Sequence, residues 1–159
     1  MKTAEKTTRI KIETTRFGRL EAAPETFLSF SDGLYGFPEA RKFLLIETDN
    51  APDFRWLQSV ERPDLAFLVT DPELFYPGYA ELAGREHPVL RALAADYQLL
   101  AIVTVDRATR GVSVNLAAPL AVHAGDRTGC QLILAREGLG TSHDLVKDLR
   151  GLLAAGAVA

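Results

Sequence analysis

FRWLQSVERPDLAFLVT, residues 54–70, holds two β-prone runs separated by a four-residue breaker, Glu61–Asp64. In the first run, alternation with a period of two puts Phe54, Trp56, Gln58 and Val60 on one face and Arg55, Leu57 and Ser59 on the other. The aromatic face is expected to point inward. The second run, 65–70, is apolar in both phases, and so is YQLLAIVTV at 97–105. Strands apolar on both faces belong in the middle of a sheet covered on both sides, as in a closed or nearly closed barrel with something packed outside it.

Working outward from this stretch, FLLIE (43–47) lies upstream, with Asn50–Pro52 as the intervening breaker. The short, even spacing of these runs reads as an antiparallel meander. Residues 16–22 and 25–30, either side of Pro24, predict a further hairpin, and SDGLYGFPEARKF (31–43) an irregular connection with one or more positive-φ glycines. Downstream, DPELFYPGYAEL (71–82) is aromatic and broken by proline, and EHPVLRALAADY (86–97) has Pro88 placed to open a helix near 88–95. VSVNLAAPLAVHA (112–124) and CQLILA (130–135) supply more strands, Pro119 marking an edge or a bulge. TSHDLVKDLRGLLAAG predicts a terminal amphipathic helix from about 142 to 154. The fold expected is therefore mainly β: a small antiparallel, closed or nearly closed barrel with one short internal helix and a C-terminal amphipathic helix.

Composition narrows the function. The chain has 159 residues, 47% hydrophobic and 25% charged, the profile of one globular domain. Its 18 basic and 21 acidic residues leave a net charge of −3, which supplies no global positive field for nucleic acid or an anionic membrane. The six basic residues within 1–21 (Lys2, Lys6, Arg9, Lys11, Arg16, Arg19) read as a tail leading into an edge strand rather than an RNA-binding arm. Cys130 is the single cysteine, so no internal disulfide and no multi-cysteine metal site can form. The N-terminus shows no signal-like apolar stretch and no run approaches a membrane span, so cytoplasmic residence is expected.

Catalytic spacings fail one after another. Ser142-His143-Asp144 has the letters of a triad, but consecutive helical residues point about 100° apart and cannot act as nucleophile, base and orienter. His87, His123 and His143 are scattered without metal-ligand spacing, and Cys130 falls in phase with Leu132 and Leu134 as a core residue. Gly138-Leu139-Gly140 lacks the remainder of a phosphate-binding motif, and Asp71 and Glu73 suit turn and cap chemistry. Phe54-Arg55-Trp56 is a single aromatic and basic triplet, a weak mark of a nucleic-acid platform. No enzyme activity and no cofactor are expected. A direct RNA-binding β-barrel module and, behind it, a small hydrolase stand as the alternatives.

Four stretches carry a resemblance. They are FSDGLYGFP (30–38), FRWLQS (54–59) with RPDLAFLV (62–69), Asp71-Pro72 with Tyr76-Pro-Gly-Tyr79, and VNLAAPL (114–120). In this order and spacing they resemble the FliW family of flagellar assembly factors, over roughly residues 12–135. The resemblance implies a bacterial cytoplasmic protein with a compact barrel-like fold that acts by holding other proteins. Family members bind the translational regulator CsrA, relieving repression of flagellin mRNA, and bind flagellin, which displaces CsrA in a partner switch. Neither direct nucleic-acid binding nor membrane association is implied, and a monomer is expected. Residues 1–11, a flexible tail, and 136–159, an extension with the terminal helix, lie outside the match.

Partner contacts concentrate on loops and edges carrying exposed apolar or paired polar groups. On that basis Leu57, Ser59, Asp64, Asp71, Phe75 and Tyr79 are the expected surface contacts, with Leu57 placed opposite the Trp56 face. Gly33, Gly36, Asn115 and Pro119 are expected to shape the backbone instead.

Overall fold

The computed structural model describes residues 8–88, 90, 96–106, 108, 111–134 and 143–144. Strands β1 (Ile10–Thr14) and β2 (Gly18–Ala22) form a separate hairpin. A second sheet contains β3 (Leu28–Phe30), β4 (Lys42–Glu47), β5 (Phe54–Ser59), β6 (Ala66–Thr70), β7 (Tyr97–Val105), β8 (Val112–Val114), β9 (Leu120–His123), β10 (Thr128–Gln131) and β11 (His143–Asp144), with helix α1 (Tyr79–Glu86) between β6 and β7. Its order runs β7-β6-β5-β4-β3-β10-β9, and β9 returns to pair with β7, so seven strands close into a barrel. The β3–β10 pairing is parallel and spans two residue pairs, Ser29 with Thr128 and Phe30 with Gly129; the other pairings among the described residues are antiparallel. β8 and β11 extend from β7 outside the ring.

Strand alternation sorts the core into two layers. Phe30, Phe43, Leu57, Val69, Leu100 and Leu120, one from each of six barrel strands, fill the lumen with at most 1% exposure each. The seventh strand, β10, contributes Gly129, because a Cβ there would stand 2.6 Å from the Phe30 ring that already occupies the space. The other layer lies outside the barrel wall, where Phe54, Trp56, Leu68 and Leu99 pack under Tyr79 and Ala83 of α1, Leu116, and Leu132 and Leu134. The β1–β2 hairpin extends this cover. Its Phe17 ring meets Trp56 edge-on at 6.1 Å, and the Arg16 guanidinium lies 4.1 Å over the indole.

The phase expected for 54–60 is thus inverted. Both faces of β5 are buried: Leu57 points into the lumen, while Trp56 is covered from outside by Phe17 and Arg16. The N-terminal hairpin also differs from expectation: β2 pairs with β1, and Pro24–Thr26 form a 3-10 turn that carries the chain across to β3. Helix α1 precedes the expected 88–95 helix. Of that span only Pro88 and Leu90 are described, Leu90 being buried. His143 and Asp144, the two described residues of the expected 142–154 helix, are extended and pair with Val114 and Ser113. The remainder of 142–154 lies outside the described residues, as do residues 1–7.

Pro119 does mark a bulge. Val103 faces Val114 and Leu100 faces Leu120, so Ala101 and Ile102 on β7 are opposed by the five residues 115–119. Asn115 shapes this insertion, its Oδ1 accepting from the N–H groups of Ala117 and Ala118 at 3.1 Å each.

Candidate partner-binding surface

A lumen filled by side chains leaves the outer loops and edges as the surface through which this barrel meets other molecules. Three segments crowd that surface: 59–65, 71–79 and 31–38.

The 59–65 turn is held from within. Gln58, fully buried, donates its side-chain amide to the carbonyls of Ser59 at 3.0 Å and Leu65 at 3.1 Å. Ser59 is also fully buried, and its Oγ accepts from the Arg62 N–H at 3.0 Å, so its hydroxyl serves the turn and does not reach a partner. Asp64 is exposed and lies 3.4 Å from the Arg62 guanidinium, which in turn sits 5.7 Å above the Phe37 ring.

In the 71–79 segment, Asp71 caps a 3-10 turn at Pro72–Leu74 by accepting from the Glu73 N–H at 2.9 Å. The Glu73 carboxylate then reaches forward to accept from Gly78 N–H at 2.6 Å and Ala80 N–H at 2.9 Å, at the start of α1. Those backbone donors, Ala80 foremost, hold its pKa below the usual carboxylate range. Phe75 is half-buried against Phe54, with ring centroids 6.1 Å apart, and Leu74 beside it is 52% exposed. Tyr79 is fully buried and donates its hydroxyl to the Leu116 carbonyl at 2.5 Å, tying α1 to the bulge; burial pushes its pKa up. Tyr79→Phe is expected to cost about 1–3 kcal/mol by leaving that carbonyl unpaired. Urea unfolding followed by circular dichroism checks it, as a lower midpoint with an unchanged slope.

Of the six residues expected at the surface, Asp64 is exposed and Asp71 and Phe75 are partly so. Leu57, Ser59 and Tyr79 are buried in the native fold: one fills the lumen, one braces a turn and one anchors a helix. Sequence reasoning passed over Tyr35 and Ile133, exposed by 60% and 57%, and Leu74. Ile133 had a signal in its strand phase, opposite Leu132 and Leu134.

The 31–38 turn brings Tyr35 toward β10. Leu34 and Phe37 exchange backbone hydrogen bonds, and the Tyr35 N–H donates to Gln131 Oε1 at 2.8 Å. Between them lies a surface pocket of about 270 Å³, lined by Asp32, Leu34, Tyr35, Pro38, Cys130 and Gln131 among others. Burial, followed by the nearby Asp32 carboxylate, pushes the Cys130 thiol up, which keeps it protonated and weakly nucleophilic.

His123 and Asp126 do meet, with Nδ1 3.0 Å from Oδ1, in the turn between β9 and β10. The hydroxyl beside them, Thr128 Oγ1, donates to Asp126 at 2.6 Å rather than to the imidazole, so the nucleophile-to-base contact of a hydrolase is not made there. Thr128 also leads the contacts that hold the Asp126 pKa down. Among the described residues no group of three His, Cys, Asp or Glu side chains could hold a metal ion, and no helix is long and apolar enough to cross a membrane. The Phe54-Arg55-Trp56 triplet offers no open stacking platform, since both rings are buried.

Comparison with known proteins places the chain in one group. A family model described as FliW protein matches residues 11–145. The flagellar assembly factor FliW of Bdellovibrio bacteriovorus is 38% identical, the alignment covering 87% of this chain and 81% of that protein. The flagellar assembly factor FliW of Moorella thermoacetica is 37% identical, over 87% of this chain and 90% of that one. A crystal structure of the flagellar assembly factor FliW superposes with a TM-score of 0.71 at 28% identity, covering 85% of this chain and 96% of that one.

Proposed function

The chain belongs to the FliW family of flagellar assembly factors, and from that premise we propose that it acts in the bacterial cytoplasm by binding CsrA and flagellin in alternation. In this reading it is a monomeric, cofactor-free adaptor with no reaction of its own. Flagellin displaces CsrA from it, and falling flagellin frees it to capture CsrA and lift repression of flagellin mRNA. The observation that carries a protein-binding role is the packing of the barrel. With the lumen filled and the Trp56 face covered, large apolar side chains at Tyr35, Leu74 and Ile133 still stand out in solvent on connecting segments. Exposed apolar groups on a rigid scaffold suit a protein partner, whose association buries them.

A switch of this kind needs a coupling of about 1–3 kcal/mol between the two partners, or direct overlap of their sites. The test is a titration of fluorescently labelled CsrA from the same organism, repeated with that organism's flagellin as competitor. Saturable CsrA binding that flagellin reverses is the expected result. Binding to neither partner would overturn the reading.

A further inference from the structure

One edge of the barrel stops short of its neighbour. Strand β10 pairs with β9 from Thr128 to Gln131, and the same ladder continues through Leu132 N–H to Pro119 O and Leu134 N–H to Ala117 O, each at 2.8 Å. In an antiparallel ladder alternate residues turn their backbone groups to opposite sides, so Gln131 and Ile133 direct theirs away from β9. On that other side β3 covers only Thr128 and Gly129, because after Phe30 the chain leaves the sheet into the 31–38 turn. Past Gln131, where the 31–38 turn stands, the lane beside Ile133 is therefore vacant among the described residues, and the Ile133 backbone N–H and C=O have no partner there. Proteins usually guard such an edge with lysine, proline or an inward charge. Gln131-Leu132-Ile133 carries none of these.

The vacant lane leads toward the pocket. Tyr35, bonded through its N–H to the Gln131 side chain, stands on one side of Gln131, and Ile133 lies two residues along on the other. These are two of the four large hydrophobics exposed among the described residues, the others being Ile10 and Leu74. The pocket, about 270 Å³, has room for one large side chain, and Asp32 is the only charged residue in its lining.

We propose that this lane receives an extended segment of a protein partner as an added strand, with a large apolar side chain in the pocket and a lysine or arginine beside it facing Asp32. The inference rests on the protein-binding role above and assigns it a surface. Charge favours a different protein over a second copy of this chain, since pairing two such edges offers no basic residue of 131–133 to meet either Asp32.

The test uses full-length protein with cognate CsrA and cognate flagellin as separate probes, read by binding titration and amide hydrogen exchange. Ile133→Pro removes an N–H that has no partner in the described fold and blocks an incoming strand, while Leu132 keeps the extended conformation that proline demands of its predecessor. The expected results are slowed exchange of the Ile133 amide in complex with at least one probe, and affinity for that probe weakened at least tenfold by Ile133→Pro at an unchanged melting temperature. Asp32→Lys, which touches no backbone bond of the edge, is the second variant should the proline disturb folding; it is expected to weaken the same complex at least threefold at low salt. An Ile133 amide left unprotected in both complexes, or affinity retained within those limits, overturns the proposal and leaves the partner switch standing. Wild-type protein that binds neither probe overturns both. Self-association abolished by Ile133→Pro assigns the edge to a second copy and also overturns it.

Discussion

Leu57→Ala is expected to lower the unfolding free energy by about 2–5 kcal/mol, a large share of the about 5–15 kcal/mol that holds a domain folded. Leu57 sits in the middle of the lumen, fully buried, with Leu45 and Phe67 as its cross-strand partners. The loss sums the transfer energy of the deleted carbons and the cavity left behind, and a closed ring of seven strands has little freedom to collapse onto that cavity. Urea unfolding measures it: the midpoint falls by roughly 1–2 M while the slope stays fixed. The folded fraction keeps its partner affinity, because the side chain never reaches the surface. A variant of unchanged stability that bound partners poorly would mean that Leu57 is a contact after all and that the lumen assignment is wrong.

Gly33→Ala is the second large effect, expected at about 2–4 kcal/mol. Gly33 has φ +66°, a region that costs an ordinary residue about 1–2 kcal/mol. A Cβ there would also stand 2.5 Å from the Phe37 carbonyl oxygen and 2.6 Å from that of Pro38, backbone atoms that can move only if the whole turn moves. The turn also positions Tyr35, whose N–H meets Gln131 across 96 positions of sequence, so opening it loosens the pocket as well. Thermal unfolding is expected to shift down by about 5–15 °C. An alanine variant melting within a degree or two of the parent would show that the turn has room the structure does not give it.

Much of the fold was legible because short β-prone runs at even spacing, with β6 and β7 apolar on both faces, admit few arrangements other than a covered barrel. The phase of β5 was not. Alternation divides 54–60 into two faces without saying which is inside, and the larger ring suggested the core; what decides it is the cover supplied by Phe17 and Arg16 from a hairpin forty residues away in the chain. Helix α1 hid behind Tyr76-Pro-Gly-Tyr79, which reads as a turn, and its buried residues are only Tyr79 and Ala83. The surface was least legible. A serine in a loop looks exposed, yet Ser59 turns inward to hold Arg62 N–H, and a tyrosine after Pro-Gly looks like a contact, yet Tyr79 bonds Leu116. The open edge beside Ile133 depends on where β3 ends relative to β10, a relation between segments about a hundred residues apart that no local pattern encodes.

That same β3–β10 seam governs when the protein can form. Its two residue pairs, and the bond from Arg127 Nη2 to the Thr26 carbonyl spanning 101 positions, join the first strand of the ring to its last. A chain emerging from the ribosome can zip β3 to β6 as a meander, but its lumen side, with Phe30, Phe43 and Leu57, stays open to water until Thr128 has left the exit tunnel. For most of its synthesis, this barrel is a half-open sheet presenting its own core.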